Sequence, residues 1–140
     1  MAHRAACGRP KRKRSNRGHA AGRRCLRHRA MPCRRGFTHR RAPNIPVASD
    51  PVYMPAVDTS CQSMYSFGIV NKGGHPVVAQ LEISPDNEHF ADDAKEIVAG
   101  GRTAALVPIR YLRYTRVSVR ALNPGEDSVV DVHYQALCTG

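Results

Sequence analysis

From Met64 to Ala136 apolar side chains recur at every second position, and a chain with that period buries them as β-strands rather than helices. Tyr65, Phe67 and Ile69 alternate with Ser66, Gly68 and Val70. In the run from Pro76 to Ser84, Val77, Ala79, Leu81 and Ile83 share one face, opposite Gln80, Glu82 and Ser84. Asn71-Lys72-Gly73-Gly74 between these runs is a turn signal, so the two read as a β-hairpin with one buried face. Pro85, Asp86 and Asn87 predict a loop, with Phe90 anchoring it to the core. Lys95 to Ala99 reads as a short strand ending at Gly100-Gly101. Thr103 to Ile109 carries Pro108, which confines it to an edge or a bulge. Val117, Val119 and Ala121 oppose Arg116, Ser118 and Arg120. After a turn at Asn123-Pro124-Gly125, Val130, Val132, Tyr134 and Ala136 share the inner face of the last strand, with Asp131, His133 and Gln135 outward.

About six strands at turn spacings of roughly 8–12 residues predict an all-β fold, a small antiparallel β-sandwich of jelly-roll type. The expected domain spans residues 56–140. Its termini invite one covalent link. Cys61 precedes the first clear strand and Cys138 closes the last, and first and last strands of sandwiches are often neighbours, so Cys61 and Cys138 are a candidate disulfide pair, with a reduced pair as the alternative in the cytosol.

Charge divides the chain differently from its total of +11. Residues 1–41 hold 15 Lys/Arg and no Asp or Glu, while seven Lys/Arg against eleven Asp/Glu leave residues 42–140 at −4. The first segment has one Leu, one Phe and no Ile, Val, Tyr or Trp. It cannot bury enough apolar surface to offset its ordering entropy, so a disordered basic arm is expected over residues 1–41, with no packed contact with the domain from residue 1 to about 45. Residues 42–55, with Pro43, Pro46, Pro51 and Pro55, read as a linker.

Arg9, Lys11, Arg12, Lys13 and Arg14 form the densest basic cluster, suited to nucleic acid through phosphate neutralisation without sequence readout. The competing reading is an arm with no partner, or one encoded by GC-rich DNA in a wrong frame, with Met31 and Met54 as later starts. No apolar stretch has the length of a membrane span or of a secretory signal core, so neither is expected.

Signals for chemistry are sparse. Cys7, Cys25, Cys33, Cys61 and Cys138 include no Cys-x-x-Cys; a zinc site would have to join Cys7, Cys25 and Cys33 to a histidine of the arm. Asp86, Glu88, Asp92 and Asp93 could ligate calcium, but their spacing is not that of an EF-hand and a solvated acidic loop accounts for them. His75, His89 and His133 fall on a turn, a loop and an outward face. Ser60 and Cys61 have no sequence-level base beside them. Arg110, Arg113, Arg116 and Arg120, interleaved with Tyr111 and Tyr114, could stack bases, or pair across strands with Glu82, Asp127 and Asp131. No catalytic residue, cofactor or metal is expected.

The ordered series Tyr65-Ser-Phe-Gly-Ile-Val-Asn-Lys-Gly-Gly, Gln80-Leu-Glu-Ile-Ser-Pro-Asp, Leu112-Arg-Tyr-Thr-Arg and Asn123-Pro-Gly resembles an uncharacterised domain family of spore-forming Gram-positive bacteria. That resemblance covers residues ~60–137 and implies a small β-sandwich of unknown function, with no catalytic residues to carry over. A weaker, fold-level likeness is to the jelly-roll subunits of bacterial endospore appendages. Together these imply a non-enzymatic structural or interaction module at a spore or cell surface. It would pair with itself or another surface protein by strand addition at its sheet edges.

Overall fold

The computed structural model describes residues 33–140. Nine strands are formed: β1 (Gly36–Val47), β2 (Val52–Tyr53), β3 (Val57–Asp58), β4 (Met64–Asn71), β5 (Val77–Ser84), β6 (Ala91–Val98), β7 (Thr103–Leu106), β8 (Tyr114–Ala121) and β9 (Ser128–Cys138). They build two antiparallel sheets, one ordered β1-β9-β4-β7 and the other β2-β8-β5-β6, with β3 also pairing to β8. No helix occurs among the described residues.

The alternation read from the sequence sets the core. Tyr65, Phe67 and Ile69 of β4 and Val130, Val132, Tyr134 and Ala136 of β9 face Val77, Ala79 and Leu81 of β5 and Val117 and Val119 of β8. Each fully buried Val, Leu, Ile or Phe contributes about 1.5–3 kcal/mol. Phe90 is not part of this core: the Arg116 guanidinium lies 3.8 Å from its ring centre, on the outer side of the sheet.

The expected β4–β5 hairpin does not form. The two strands lie in different sheets, and the turn residues between them carry the chain across the sandwich. Asn71 explains the crossing. Its buried amide Nδ2 donates to the His75 (2.8 Å) and Val98 (3.0 Å) carbonyls, and its Oδ1 accepts from Gly73 N (3.1 Å) and Ser128 Oγ (2.6 Å). One side chain thereby ties β4 and β9 to the start of β5 and the end of β6. Two glycines permit the close packing. A Cβ at Gly73 would overlap Ser128, and one at Gly100 would lie 2.5 Å from the Gly74 carbonyl.

The boundary expected at residues 41 and 42 is also corrected. Gly36 to Val47 is one strand, paired with β9 from Gly36↔Cys138 to Val47↔Ser128. Sequence pattern cannot reveal it, because most of its side chains are exposed and its stabilisation lies in backbone bonds to β9. Pro43 and Pro46 are tolerated because β1 is an edge strand, with a bulge between Ala42 and Ile45 and Asn44 at φ 54°. The former linker also supplies β2. Over residues 33–140 eleven Lys/Arg balance eleven Asp/Glu, so the folded unit is neutral rather than −4.

The cysteine pairing is different too. Cys61 is bonded to Cys33, with Cα atoms 5.4 Å apart, and Cys138 is a buried free thiol. The reason is the strand order β1-β9-β4. Cys33 precedes β1 and Cys61 precedes β4, so the disulfide joins the two strands that flank the end of β9. Linking residues 28 apart, it restricts the unfolded chain by about 3–4 kcal/mol.

Native trypsin digestion of the full chain is expected to leave a fragment beginning at Gly36. Without reductant, intact-mass analysis should show the Cys33 peptide still attached through Cys61; a stable fragment beginning at Ala42 would contradict β1. Gly100→Ala is expected to lower stability by about 1–3 kcal/mol in urea denaturation, the usual cost of forced overpacking.

Candidate functional site

Three surface features carry polar or charged groups in an arrangement that can do work: two sheet edges, a polar cluster on β9, and the outer face of the β2-β8-β5-β6 sheet.

The edges come from the topology. At one side the sandwich ends in β1 and β2/β3, and at the other in β6 and β7, which lie against each other. Strand β1 carries Arg40 and Arg41 and no acid; β6 carries Asp92, Asp93 and Glu96 with one Lys95. Asp93 is already occupied. It accepts from Ile109 N (2.7 Å) and from Arg110 N and Nε (3.2 and 3.1 Å).

Asp131 sits where the alternation expects an outward side chain, yet only 5% of its side chain is exposed. Arg41 Nη2 at 2.6 Å, Lys72 Nζ at 2.8 Å and Asn44 N at 2.8 Å enclose its carboxylate. Lys72 above all, then the Asn44 amide and Arg41, hold it well below the ordinary carboxylate range. This cluster fixes the β1 bulge against β9. Beside it, His39 Nε2 and His133 Nδ1 lie 2.9 Å apart with rings nearly parallel.

Three of the four arginines between residues 110 and 120 pair with carboxylates, as the cross-strand reading expects, but mostly with other partners, while Arg120 donates to the Ala121 carbonyl at 3.1 Å. Arg116 meets Glu82 at 2.5 Å; Arg113 meets Asp58 at 2.8 Å; Arg110 meets Asp93. Asp127 and Asp131 take none of them among the described residues. Arg116 also lies 4.4 Å from the Tyr53 ring centre, so its guanidinium is held between Tyr53 and Phe90.

The outer face of this sheet is concave. One row crosses four strands: Tyr53 pairs with Ser118, Ser118 with Gln80, and Gln80 with Lys95. Ser118 and Val78 are buried and short, whereas Tyr53 stands 49% exposed beside them. The result is a trough of about 260 Å³ lined also by Glu82, Asp92 and Arg120. Sequence reasoning missed it because Tyr53 lay in the supposed linker, and only strand register brings it beside Ser118 and Gln80.

The remaining candidates are placed as follows. Asp86, Glu88 and His89 bring ligand atoms within 4.8 Å of one another. Asp86, however, closes its own loop. Its Oδ1 accepts from the His89 and Glu88 amides at 2.9 Å, which lower its pKa well below the usual carboxylate range. Asp93 stands apart from that group, on Arg110. His75 Nδ1 lies 3.0 Å from the Asp127 carbonyl. Cys61 has no thiol to act as a nucleophile, being bonded to Cys33, and Cys33 is likewise lost to any zinc site with Cys7 and Cys25. Arg9, Lys11, Arg12, Lys13, Arg14, Cys7 and Cys25 lie outside the described residues. No helix of the described residues is long and apolar enough to cross a membrane.

The family described as a domain of unknown function, DUF6385, matches residues 58–137. No curated protein matches. Among solved structures, the PBSX exported protein XepA is similar at 18% identity and a TM-score of 0.56, over 74% of this chain and 37% of that one. This chain thus spans little more than a third of XepA. PirA is similar at 15% identity and a TM-score of 0.50, over 69% of this chain and 92% of that one. A Bacillus endospore appendage structure, from a family of disulfide-linked pili, is similar at 15% identity and a TM-score of 0.47, over 76% and 92%. At such identities the likeness to XepA and PirA shows the fold alone.

Three carboxylates titrate low. Asp58 is brought down to about 2, chiefly by its hydrogen bond from Arg113, and Asp86 and Asp131 are lowered as above. A carboxyl whose folded pKa lies below its unfolded value stabilises the fold above that unfolded value, and the contribution disappears as pH falls through the folded one. The urea midpoint is expected to be flat between pH 7 and 5 and to fall progressively from about pH 4 to 2. Asp131→Asn should lower the midpoint at pH 7 and make the acid limb shallower.

Proposed function

Because this chain belongs to the DUF6385 family, whose function is unknown, its role has to be read from its surfaces, and we propose that it is a non-enzymatic structural module that associates through its sheet edges. The partner is a second copy of the chain, or another surface protein that offers a strand. One observation carries the reading: among the edge strands β1 is basic and β6 acidic, while β2 and β7 carry no charged residue. An unpaired edge offers a row of backbone donors and acceptors to an incoming strand. The charge pattern favours β1 of one copy against β6 of the next and disfavours each edge against itself.

The non-enzymatic reading is supported by how the reactive groups are used. Cys61 is in a disulfide; Asp58, Asp93, Glu82 and Asp131 are each held by a guanidinium. A spore or cell surface as the location is supported by the fold-level likeness and by a disulfide that is stable in an oxidising compartment.

Light scattering coupled to size exclusion tests the association. The full chain at low salt should show species larger than a monomer, weakened by salt. Arg40→Glu and Glu96→Lys should each reduce association, and mixing the two variants should restore a dimer, since Glu at residue 40 then faces Lys at residue 96. A strictly monomeric chain at all concentrations would overturn self-association.

A further inference from the structure

The trough on the β2-β8-β5-β6 face has a composition that neither a packed core nor a plain solvated sheet requires. A partly exposed aromatic, Tyr53, stands at one wall; a hydroxyl, Ser118, lies on the floor; and an amide, Gln80, comes next in the same row. The amide is locked in orientation. Its Nε2 donates to the Leu81 carbonyl at 3.0 Å and to the Ala94 carbonyl at 3.1 Å, which leaves Gln80 Oε1 as an acceptor with both amide protons engaged. Lys95 and Arg120 add donors, and Glu82 is fixed by Arg116, the same guanidinium that lies over Tyr53. Tyr53 and Glu82 are therefore positioned by one cation, and Gln80 by two backbone carbonyls.

The geometry points to a binding site for a short oligosaccharide of neutral or N-acetylated pyranose units. A pyranose presents an apolar face of C–H groups and a rim of hydroxyls that each donate and accept. Its recognition needs an exposed aromatic surface with fixed donors and acceptors close by, and this trough supplies both. Four strands at ~4.8 Å spacing make a row of ~14 Å, long enough for more than a single ring. Nucleic acid also stacks on aromatics, but Lys95 and Arg120 in the trough are matched by Glu82 and Asp92, so it lacks the basic excess that phosphate neutralisation uses. An extended peptide adding a strand would use an edge, not this face. The site shares Asp92 and Lys95 with strand β6, but it lies on the face of the sheet and needs no second copy.

Binding of the full chain to chitotetraose, cellotetraose and a soluble peptidoglycan glycan strand, followed by NMR or calorimetry, tests the inference, with an oligothymidylate as control. At least one oligosaccharide should bind, with chemical-shift changes confined to Tyr53, Ser118, Gln80 and Lys95. Tyr53→Ala should weaken binding at least tenfold, and Tyr53→Phe should retain most of it because the stacking surface is kept. Gln80→Ala should weaken it as well, with unchanged circular dichroism as the folding control. Arg40→Glu, which disrupts the proposed assembly, should leave it intact. Binding to none of the three at millimolar concentration would overturn the inference, as would a tighter complex with oligothymidylate or affinity unchanged by Tyr53→Ala and Gln80→Ala.

Discussion

The fold depends on β9 being paired along both edges. This 11-residue strand contributes Val130, Val132, Tyr134 and Ala136 to the core, and every one of those side chains is useful only if the strand is held flat between neighbours. Strand β4 holds one edge from Met64↔Leu137 to Asn71↔Val130, and β1 holds the other from Gly36 to Val47. The remaining features reinforce that three-strand unit. Asp131 clamps the β1 bulge on the outer face, Asn71 and Ser128 close one end, and the Cys33–Cys61 bond closes the other. A strand bonded on both sides satisfies all its backbone donors and acceptors internally, which is why polar and covalent devices converge on it.

Period two made β4, β5, β8 and β9 legible, with their inward faces, because each buries alternate side chains and so writes its geometry into its own composition. Strand β1 could not be read that way. What it gains is hydrogen bonds to β9, and its side chains, among them Arg40 and Arg41, look like those of a solvated tail. The error in the cysteine pairing follows from the same omission. With β1 absent from the reading, Cys138 seemed the natural partner of Cys61; with β1 in place, Cys33 lies across the end of β9 from it. The strand crossing at Asn71 was hidden for a different reason. Asn-Lys-Gly-Gly satisfies a hairpin as well as it satisfies an arch, and the choice is made by distant groups, Val98 O and Ser128 Oγ, that no local window contains.

The candidate surfaces divide along the same line. Edge charge can be counted in the sequence once strands are assigned, whereas the trough cannot, since Tyr53, Ser118, Gln80 and Lys95 are brought into one row by register across four strands. Their roles also follow from position. A group on the outer face of a central strand, such as Ser118, is fixed by neighbours on both sides and suits recognition of a small rigid ligand. A group on an edge strand has one free side and suits the addition of backbone.

Edge charge further constrains the symmetry of any assembly. An isologous dimer would place β1 against β1 or β6 against β6, and each juxtaposes like charges, Arg40 in one case and Asp92 and Glu96 in the other. Pairing β1 with β6 removes that repulsion, but the interface is then heterologous: one copy keeps its β6 edge unused and the other its β1 edge. Such an interface closes into a ring only if the rotation between copies is an integral fraction of a turn, and otherwise propagates. The right-handed twist of both sheets imposes a rotation at every added strand pair, so continuing the sheets from copy to copy generates a screw rather than a flat ring. In that arrangement the trough, which occupies a face and not an edge, recurs on every subunit along the assembly, and weak binding of a repetitive glycan at each copy would add up through effective concentration.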